Sequence, residues 1–535
     1  MSTTLEHPDS PRPRDVTTQW CLAAGWVVGA ALLRALLAAV VPLLPDETYY
    51  WEWSRRLEAG YFDHPPGIAL LIHIGTDLLG ATAAGVRAGP AIAALVTHVT
   101  AVVCAWQLAG KGAAGAQAAR RAAMLMTLLP IATLGLVLAT PDAALFATAM
   151  VALFAVERAL AHPVRSWVSL GWWIVAGVAL GGAFVSKYTA VLLPMGLVIA
   201  CLLHPALRRR FLDAGPWGAS VIALTLFAPV VAWNLFNDWV SFRFQLGHGF
   251  NAAVRGNPVS RELEMLGGQA GLASPILFVI MAIVVVAALR EGWRIRHTAA
   301  PTDLPVRRFA LAVVSVVPLG FFAISAWRRP VEANWPAVIY PGAMLLLATS
   351  TETVARGVWW RRGLALAAVL LAVVAAQAYA PVLPLEPRKD PIARAHGWRT
   401  LADAVQIARR DTFLAGTVDQ WVAADRYQDA SELAFHLPDQ PTVFSLNLGG
   451  RANHYDVWPN AWQKVRPGDG LVVAFDADAK GDSLARVVGG WFKDMKQGAR
   501  VSMRRRGAEV STRRVWLYRF ARDVPRTSPT HPTLP

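Results

Sequence analysis

Eleven apolar runs set the limits on what this chain can fold into: 20–45, 84–109, 121–138, 143–160, 168–186, 188–204, 217–236, 270–289, 309–327, 335–350 and 363–381. A helix needs ~20 predominantly apolar residues to cross the hydrocarbon core of a bilayer, and most of these runs approach that length. Charge is scarce as well, at 16% of residues where soluble domains carry ~25%. A water-facing surface needs more charge than that. The fold class expected is therefore an all-α polytopic membrane protein of about 11–13 transmembrane helices. A smaller soluble α/β region follows them in sequence.

A formal net charge of +15 invites comparison with nucleic-acid binders. The placement of the cations argues otherwise. With the N-terminus on the inner side, eighteen Lys and Arg fall between spans on the inner face and nine on the outer face. This is the asymmetry of the positive-inside rule. No basic patch interleaved with aromatic residues occurs on a soluble stretch, which excludes nucleic acid as a partner. Cys21, Cys104 and Cys201 lie inside apolar runs and read as small buried hydrophobes. Arg34, inside the first span, must face the bundle interior or find a partner.

Residues 1–19 are Pro-rich and charged, which predicts a disordered cytoplasmic leader. Residues 20–381 form the transmembrane domain, interrupted by a long outer loop, 46–83. Within that loop IALLIHIGTDLLG is too short and polar to span, and predicts an interfacial or re-entrant helix. Residues 382–535 change character, and an odd number of spans places them outside. There, HGWRTLADAVQIARR and DASELAFHL have helical spacing, whereas TFLAGTV, PTVFSL, GLVVAFDA and RVWLYRF read as strands. Residues 525–535 read as a frayed tail.

Six polar clusters collect on the outer side under this topology. Asp46-Glu47 follows the first span; the pair is either a helix start at an aromatic interface or a carboxylate site that takes a proton or holds a divalent ion. Asp63-His64-Pro65-Pro66 is a rigid turn or a site. Thr140-Pro141-Asp142 has the form of a helix start. Lys187 sits at a tight hairpin, where a lysine can snorkel. Asn234 precedes a polar, aromatic stretch, and Arg328-Arg329 stands near Glu332 and Asn334. Each signal is weak by itself. Together they mix acids with cations, as transfer from a phosphate-activated donor requires: cations stabilise the leaving phosphate while a carboxylate handles the nucleophile.

The ordered set DETYYWEWSRRLEAGYFDHPPGIALL, TPDAALF, GGAFVSKYTAVLLP, PVVAWNLFNDWVSFRFQLGHG, VEANWPAVIYPG and HGWRTLA resembles a bacterial glycosyltransferase family. That family includes the aminoarabinose transferase of lipid A and is related to the protein O-mannosyltransferases. The resemblance runs from about 20 to 460. It implies the GT-C fold, a polyprenyl-phosphate sugar donor, and chemistry at the outer mouth of a lipid-lined cavity in a bacterial inner membrane. Carried over, the catalytic acids fall on Asp46, Glu47 and Asp142, and donor-phosphate positions on Lys187, Arg328 and Arg329; His64, which stands where relatives have a lysine, is a further candidate for the donor phosphate. Asp63, Asn234, Glu332 and Asn334 complete the candidates. One departure stands out: relatives of the aminoarabinose type carry an acid-Lys-Pro element where this chain reads Asp63-His64-Pro65. That leaves the sugar open.

The expected reaction is transfer, with inversion, of the sugar to an envelope lipid, polysaccharide or protein. Asp46 is the chosen base, and the metal requirement is unknown, a divalent ion near Asp46 and Asp142 being the cofactor to consider. The alternative is a transporter or flippase of lipid-linked sugars, for which paired halves and midplane charges would be the signal.

Overall fold

The computed structural model describes residues 13–250, 257–351, 353–354 and 357–522. The expected leader falls largely on residues 1–12, and the expected tail on 525–535, both outside the described residues. Residues 13–19 are already helical, as the first turns of Pro13–Val40. This is a multi-pass membrane protein. Eight described helices are long and apolar enough to cross a bilayer: Asp15–Val40, Ala83–Leu108, Pro141–Leu160, Trp167–Ser186, Ala214–Phe236, Pro275–Arg294, Leu304–Arg328 and Val358–Tyr379. Large apolar side chains stand exposed along them, among them Leu32, Leu36, Val221, Leu224, Val279 and Ile283. On a water-soluble surface such faces would drive association; in lipid they are the solvent-facing side. Cys21 is exposed on such a face, so only Cys104 and Cys201 are buried as expected.

The count differs from about 11–13 because three of the expected spans are short or broken. In the 121–138 run, the helix Ala113–Leu128 stops before Pro130, and a single turn, Pro130–Thr133, follows. The residue before a proline is pushed out of the helical region, and Leu129 is extended. In the next case Tyr188–Leu203 and Pro205–Leu212 meet at a bend of 112°. If this bent pair is one span, the total is nine. The third, Trp335–Ala348, is apolar but short. Gly67–Leu79 is likewise a short apolar helix, as its sequence predicts.

Two compact units divide the chain. The first comprises residues 1–37, 89–231 and 249–374. Its core is built from Leu125, Met126, Phe146, Met150, Leu277 and Met281, all nearly inaccessible. Small residues let its helices approach closely: a Cβ on Gly177 would stand 2.7 Å from the Ala219 carbonyl oxygen. Arg34 finds partners where the helix Ala113–Leu128 breaks, donating to the carbonyls of Met126 at 3.0 Å and Ala132 at 2.9 Å.

The second unit comprises residues 38–88, 232–248 and 375–535. Its sheet has five strands: β1 (Gln420–Ala424), β2 (Val443–Ser445), β3 (Gly470–Asp476), β4 (Phe492–Arg505) and β5 (Ala508–Ala521), in the order β2-β1-β3-β5-β4. β1 pairs in parallel with β2 and β3, Val422 lying opposite Val443 and Val472. β5 runs antiparallel to β3, with Trp516 opposite Val473, and antiparallel to β4. The unbroken apolar run of β3 is buried over six of its residues, as a central strand covered on both faces should be. TFLAGTV is not a strand. Asp411 accepts from the Phe413 amide and starts a short 3-10 turn, and Gly416 takes a positive φ of 81°.

Candidate functional site

The long loop after the first span folds as a helix, Pro45–Ser54, followed by a turn and the helix Gly67–Leu79. Proline occupies the first helical position, where its missing N–H costs nothing, and Asp46 and Glu47 fall in the first turn. The two acids have different surroundings. Glu47 is fully buried and pairs with Arg87, whose Nε lies 2.7 Å from Oε1 and Nη2 2.5 Å from Oε2. Glu47 also accepts from the Leu44 amide at 3.0 Å. These contacts pin the helix start. Asp46 instead is exposed, on the wall of a cavity of 850 Å³. Protein on the surrounding walls displaces bulk water, and this desolvation pushes the Asp46 carboxyl above the usual carboxylate range. The Asp63 carboxylate raises it further, while Arg451 and Arg394 pull against both.

Asp63 is the hub of the same neighbourhood. It accepts from the Tyr49 hydroxyl at 2.8 Å and from Arg451 Nη1 at 2.8 Å. Arg451 also donates to the Tyr427 hydroxyl at 2.9 Å, and the Tyr49 oxygen accepts from the His454 amide at 2.8 Å. Burial, with Asp63 adding, holds the Tyr49 hydroxyl protonated far above its ordinary range, so it stays a donor. Burial likewise raises Tyr427, to about 12. Burial lowers His454, which keeps its ring neutral. Its Nδ1 accepts from the Phe62 amide at 3.1 Å, so the proton sits on Nε2, 3.3 Å from Glu58 Oε1. Glu58 accepts from the indoles of Trp233 and Trp458 as well, each at 2.7 Å.

The first unit holds a second polar group. Lys187 ends the helix Trp167–Ser186 in an extended conformation, and Asp142 lies in the first turn of Pro141–Leu160. Their side chains, both nearly buried, meet at 2.7 Å between Lys187 Nζ and Asp142 Oδ1. Asn334 Nδ2 donates to the other oxygen of Asp142 at 2.9 Å. Thr140 starts the helix in an extended conformation without a side-chain cap. Asp142, Lys187 and Asn334, separated in sequence, are thus brought together.

The remaining candidates occupy other places. Asn234 is buried; its side chain accepts from the Ser241 amide at 3.2 Å and its carbonyl from the Trp239 amide at 2.7 Å. It braces a turn in which Asp238 and Trp239 carry positive φ. The His64 carbonyl accepts from the Tyr61 amide at 3.1 Å, and its ring lies 6.2 Å from that of Tyr50. Arg328 is exposed in the last turn of Leu304–Arg328, and Arg329 follows it as the helix cap. Glu332 is exposed and accepts from the Trp335 amide through its carbonyl. Among the described residues, neither Arg328 nor Glu332 makes an ion pair. No group of three or more His, Cys, Asp or Glu side chains among the described residues is placed to hold a metal ion. Both oxygens of Asp142 are engaged, one by Lys187 and the other by Asn334.

Arg451, Tyr49, Tyr427 and Arg394 escape a reading of the sequence. Tyr49 belongs to an aromatic string whose interfacial meaning masks a hydroxyl contact. Arg451 stands in an unremarkable GGRAN loop, and nothing local points to Asp63 388 residues away.

Comparison with known proteins defines the class. Residues 63–233 match the family described as dolichyl-phosphate-mannose-protein mannosyltransferase, a stretch that includes Asp63, His64, Asp142 and Lys187. The chain adopts the fold of ArnT from Cupriavidus metallidurans, solved bound to undecaprenyl phosphate. The TM-score is 0.61 at 16% identity, covering 92% of this chain and 97% of that one. The apo form of the same protein gives 0.61 at 15% identity, over 94% and 98%. The chain therefore has the GT-C glycosyltransferase fold, as its ordered motifs led one to expect. Among curated proteins it is similar to the lipid A galacturonosyltransferase RgtD of Rhizobium johnstonii, 29% identical over 272 residues. That match spans 49% of this chain and about half, 54%, of the relative's length.

Proposed function

We propose that the chain is a membrane glycosyltransferase that moves a sugar from a polyprenyl-phosphate carrier to a cell-envelope acceptor on the outer face of a bacterial inner membrane. The observation that carries this reading is Asp46: an acid on the wall of a cavity, its carboxyl held above the usual range, in a chain with the GT-C fold. A general base works best when its pKa approaches the working pH, which is the direction in which Asp46 is moved. The undecaprenyl phosphate bound by the ArnT neighbour and the family match over 63–233 support a polyprenyl-phosphate donor.

In this reading the acceptor hydroxyl gives its proton to Asp46 as its oxygen attacks the anomeric carbon. The bond from that carbon to the phosphate oxygen breaks, and polyprenyl phosphate leaves with the bonding pair. Phosphate is a good leaving group, so cations suffice and no general acid is required. In-line attack inverts the anomeric centre. Asp63 and Arg451 do not react; they set the charge around Asp46. Replacing Asp46 by Asn removes the base and keeps the shape and the helix start. We expect at least a ~10²-fold loss of turnover, the usual scale for an acid–base group. Near-normal release of polyprenyl phosphate by Asp46→Asn, at normal membrane abundance, would falsify the base role. The same assay separates an enzyme from a flippase, which would leave the donor intact.

Lys187 is proposed to meet the donor phosphate, with Asp142 and Asn334 holding its ammonium in place. A lysine so enclosed interacts with an anion more strongly than an exposed one does. Lys187→Met should raise the donor KM while membrane insertion stays normal. An unchanged donor KM would reduce the lysine to a structural partner of Asp142.

A further inference from the structure

The cavity beside Asp46 has a lining that the transfer chemistry does not use. Apart from the start of the helix Pro45–Ser54, its walls come from the C-terminal region, and they carry Arg394, Arg426, Arg500 and Arg513 with Tyr427. Arg513 is buried and pairs with Asp429 at 2.8 Å and Asp476 at 2.6 Å; Arg426 pairs with Asp476 too. Two carboxylates therefore serve these two arginines. Arg394 and Arg500, both exposed on the cavity, make no ion pair among the described residues. The first turn of the helix Tyr427–His436 opens on the same space, and no side chain caps its amides. A volume of 850 Å³ is ample for a small glycan headgroup, since ligand pockets run from about 300 to 1,000 Å³.

We infer that this cavity is an acceptor subsite for a sugar headgroup carrying a phosphate or a carboxylate, gripped by Arg394 and Arg500. The inference rests on the transferase reading above and names the chemistry of its acceptor. The cavity combines arginine and aspartate side chains with apolar ones, among them Leu44, Trp398, Met503 and Val510, a mixture that suits a sugar headgroup, whose ring packs on apolar walls while its charge needs a cation. A planar guanidinium binds a phosphate or carboxylate through two parallel N–H donors, which fixes orientation as well as position. An anionic group held there leaves the rest of its sugar on the same side as Asp46, the group that must take the hydroxyl proton.

Binding to the purified full chain in detergent tests this without any need for turnover. Glucosamine 1-phosphate and glucuronate are the anionic probes, and glucosamine is the probe lacking the anion. At least one anionic probe should bind at least tenfold more tightly than glucosamine. The Arg394→Gln/Arg500→Gln double variant should lose at least tenfold of that affinity, and the probe that binds tells phosphate from carboxylate. Both side chains are exposed and unpaired, so the variant should keep the unfolding midpoint of the parent. Equal binding of glucosamine, or binding unaltered in the double variant, overturns the inference. So does displacement of the bound probe by undecaprenyl phosphate, which would give the cavity to the donor. Anion binding lost in the variant, in a protein that never releases polyprenyl phosphate, would keep the subsite and sink the transferase reading instead.

Discussion

Asp46 and Glu47 are neighbours in sequence with opposite fates, and the difference lies in what each side chain reaches. Arg87 fully engages Glu47, while Asp46 keeps an uncommitted carboxyl on a cavity wall. Because desolvation by the cavity walls and Asp63 raise the Asp46 carboxyl and Arg451 lowers it, the two neighbours should move the pH dependence of transfer in opposite directions. A base acts when ionised, so kcat/KM rises with pH through the Asp46 pKa. Asp63→Asn removes a negative neighbour and leaves Arg451 without its carboxylate. Both changes favour ionised Asp46, so the acid limb should move to lower pH. Arg451→Gln removes a cation and leaves Asp63 unneutralised, so the limb should move to higher pH. A profile that moves the same way in both variants, or in neither, excludes Asp46 as the titrating base. Of this neighbourhood, Asp46 was legible in the sequence because a carboxylate just after a span is conspicuous by local contrast, and Asp63 because it opens a rigid His-Pro-Pro turn. Arg451 was not, since arginines are common in a chain with 51 Lys and Arg and its meaning comes only from the residue it reaches.

At the scale of elements, strand β4 shows how a polar segment is enlisted. Its first half, FKDMKQG, has neither alternation nor an apolar run and gives no strand signal; only ARVSMR after it alternates apolar and polar residues. It forms because β5 offers an antiparallel partner, and because its end is anchored. Arg505 is buried; its guanidinium pairs with Asp390 and donates to the carbonyls of Gln377 and Ala378, at the end of the helix Val358–Tyr379. Arg505→Met should strand Asp390 and destabilise the second unit by roughly 3–5 kcal/mol, the usual effect of breaking a buried pair from one side. An added Asp390→Leu should recover part of the loss. Unfolding midpoints of the detergent-solubilised protein read both effects, and a single variant as stable as the parent would show that the pair contributes nothing. The opposite failure, TFLAGTV, had β-type composition but met a capping aspartate and a left-handed glycine. Local backbone chemistry prevailed over propensity there. The helices 398–409 and 427–436 and the strand β3 were legible because their periodicity or apolar length was unambiguous.

For the whole molecule, the number of spans decides on which side of the membrane residues 382–535 lie. Eight described helices qualify as spans by length and composition, and three expected spans are short or broken at prolines. If all three cross, the total is eleven, and an N-terminus inside puts residue 450 outside and residue 300 inside. Reporter fusions at those positions should be active on opposite sides of the membrane. A cytoplasmic position 450 would remove transfer at the outer face from the proposal. The sequence by itself determined that this chain enters a bilayer, roughly where it does so, and that its unusual acids stand at the ends of spans. Hydropathy adds up residue by residue along the chain, so those properties need no knowledge of what lies nearby. Which acid is engaged by a partner and which is left on a cavity wall was decided by the tertiary structure alone. Charge interactions fall off with distance in space, and sequence separation does not fix that distance. Glu47 closes on Arg87 and Asp142 on Lys187, Asp63 waits for an arginine from the far end of the chain, and Asp46 is left facing the cavity.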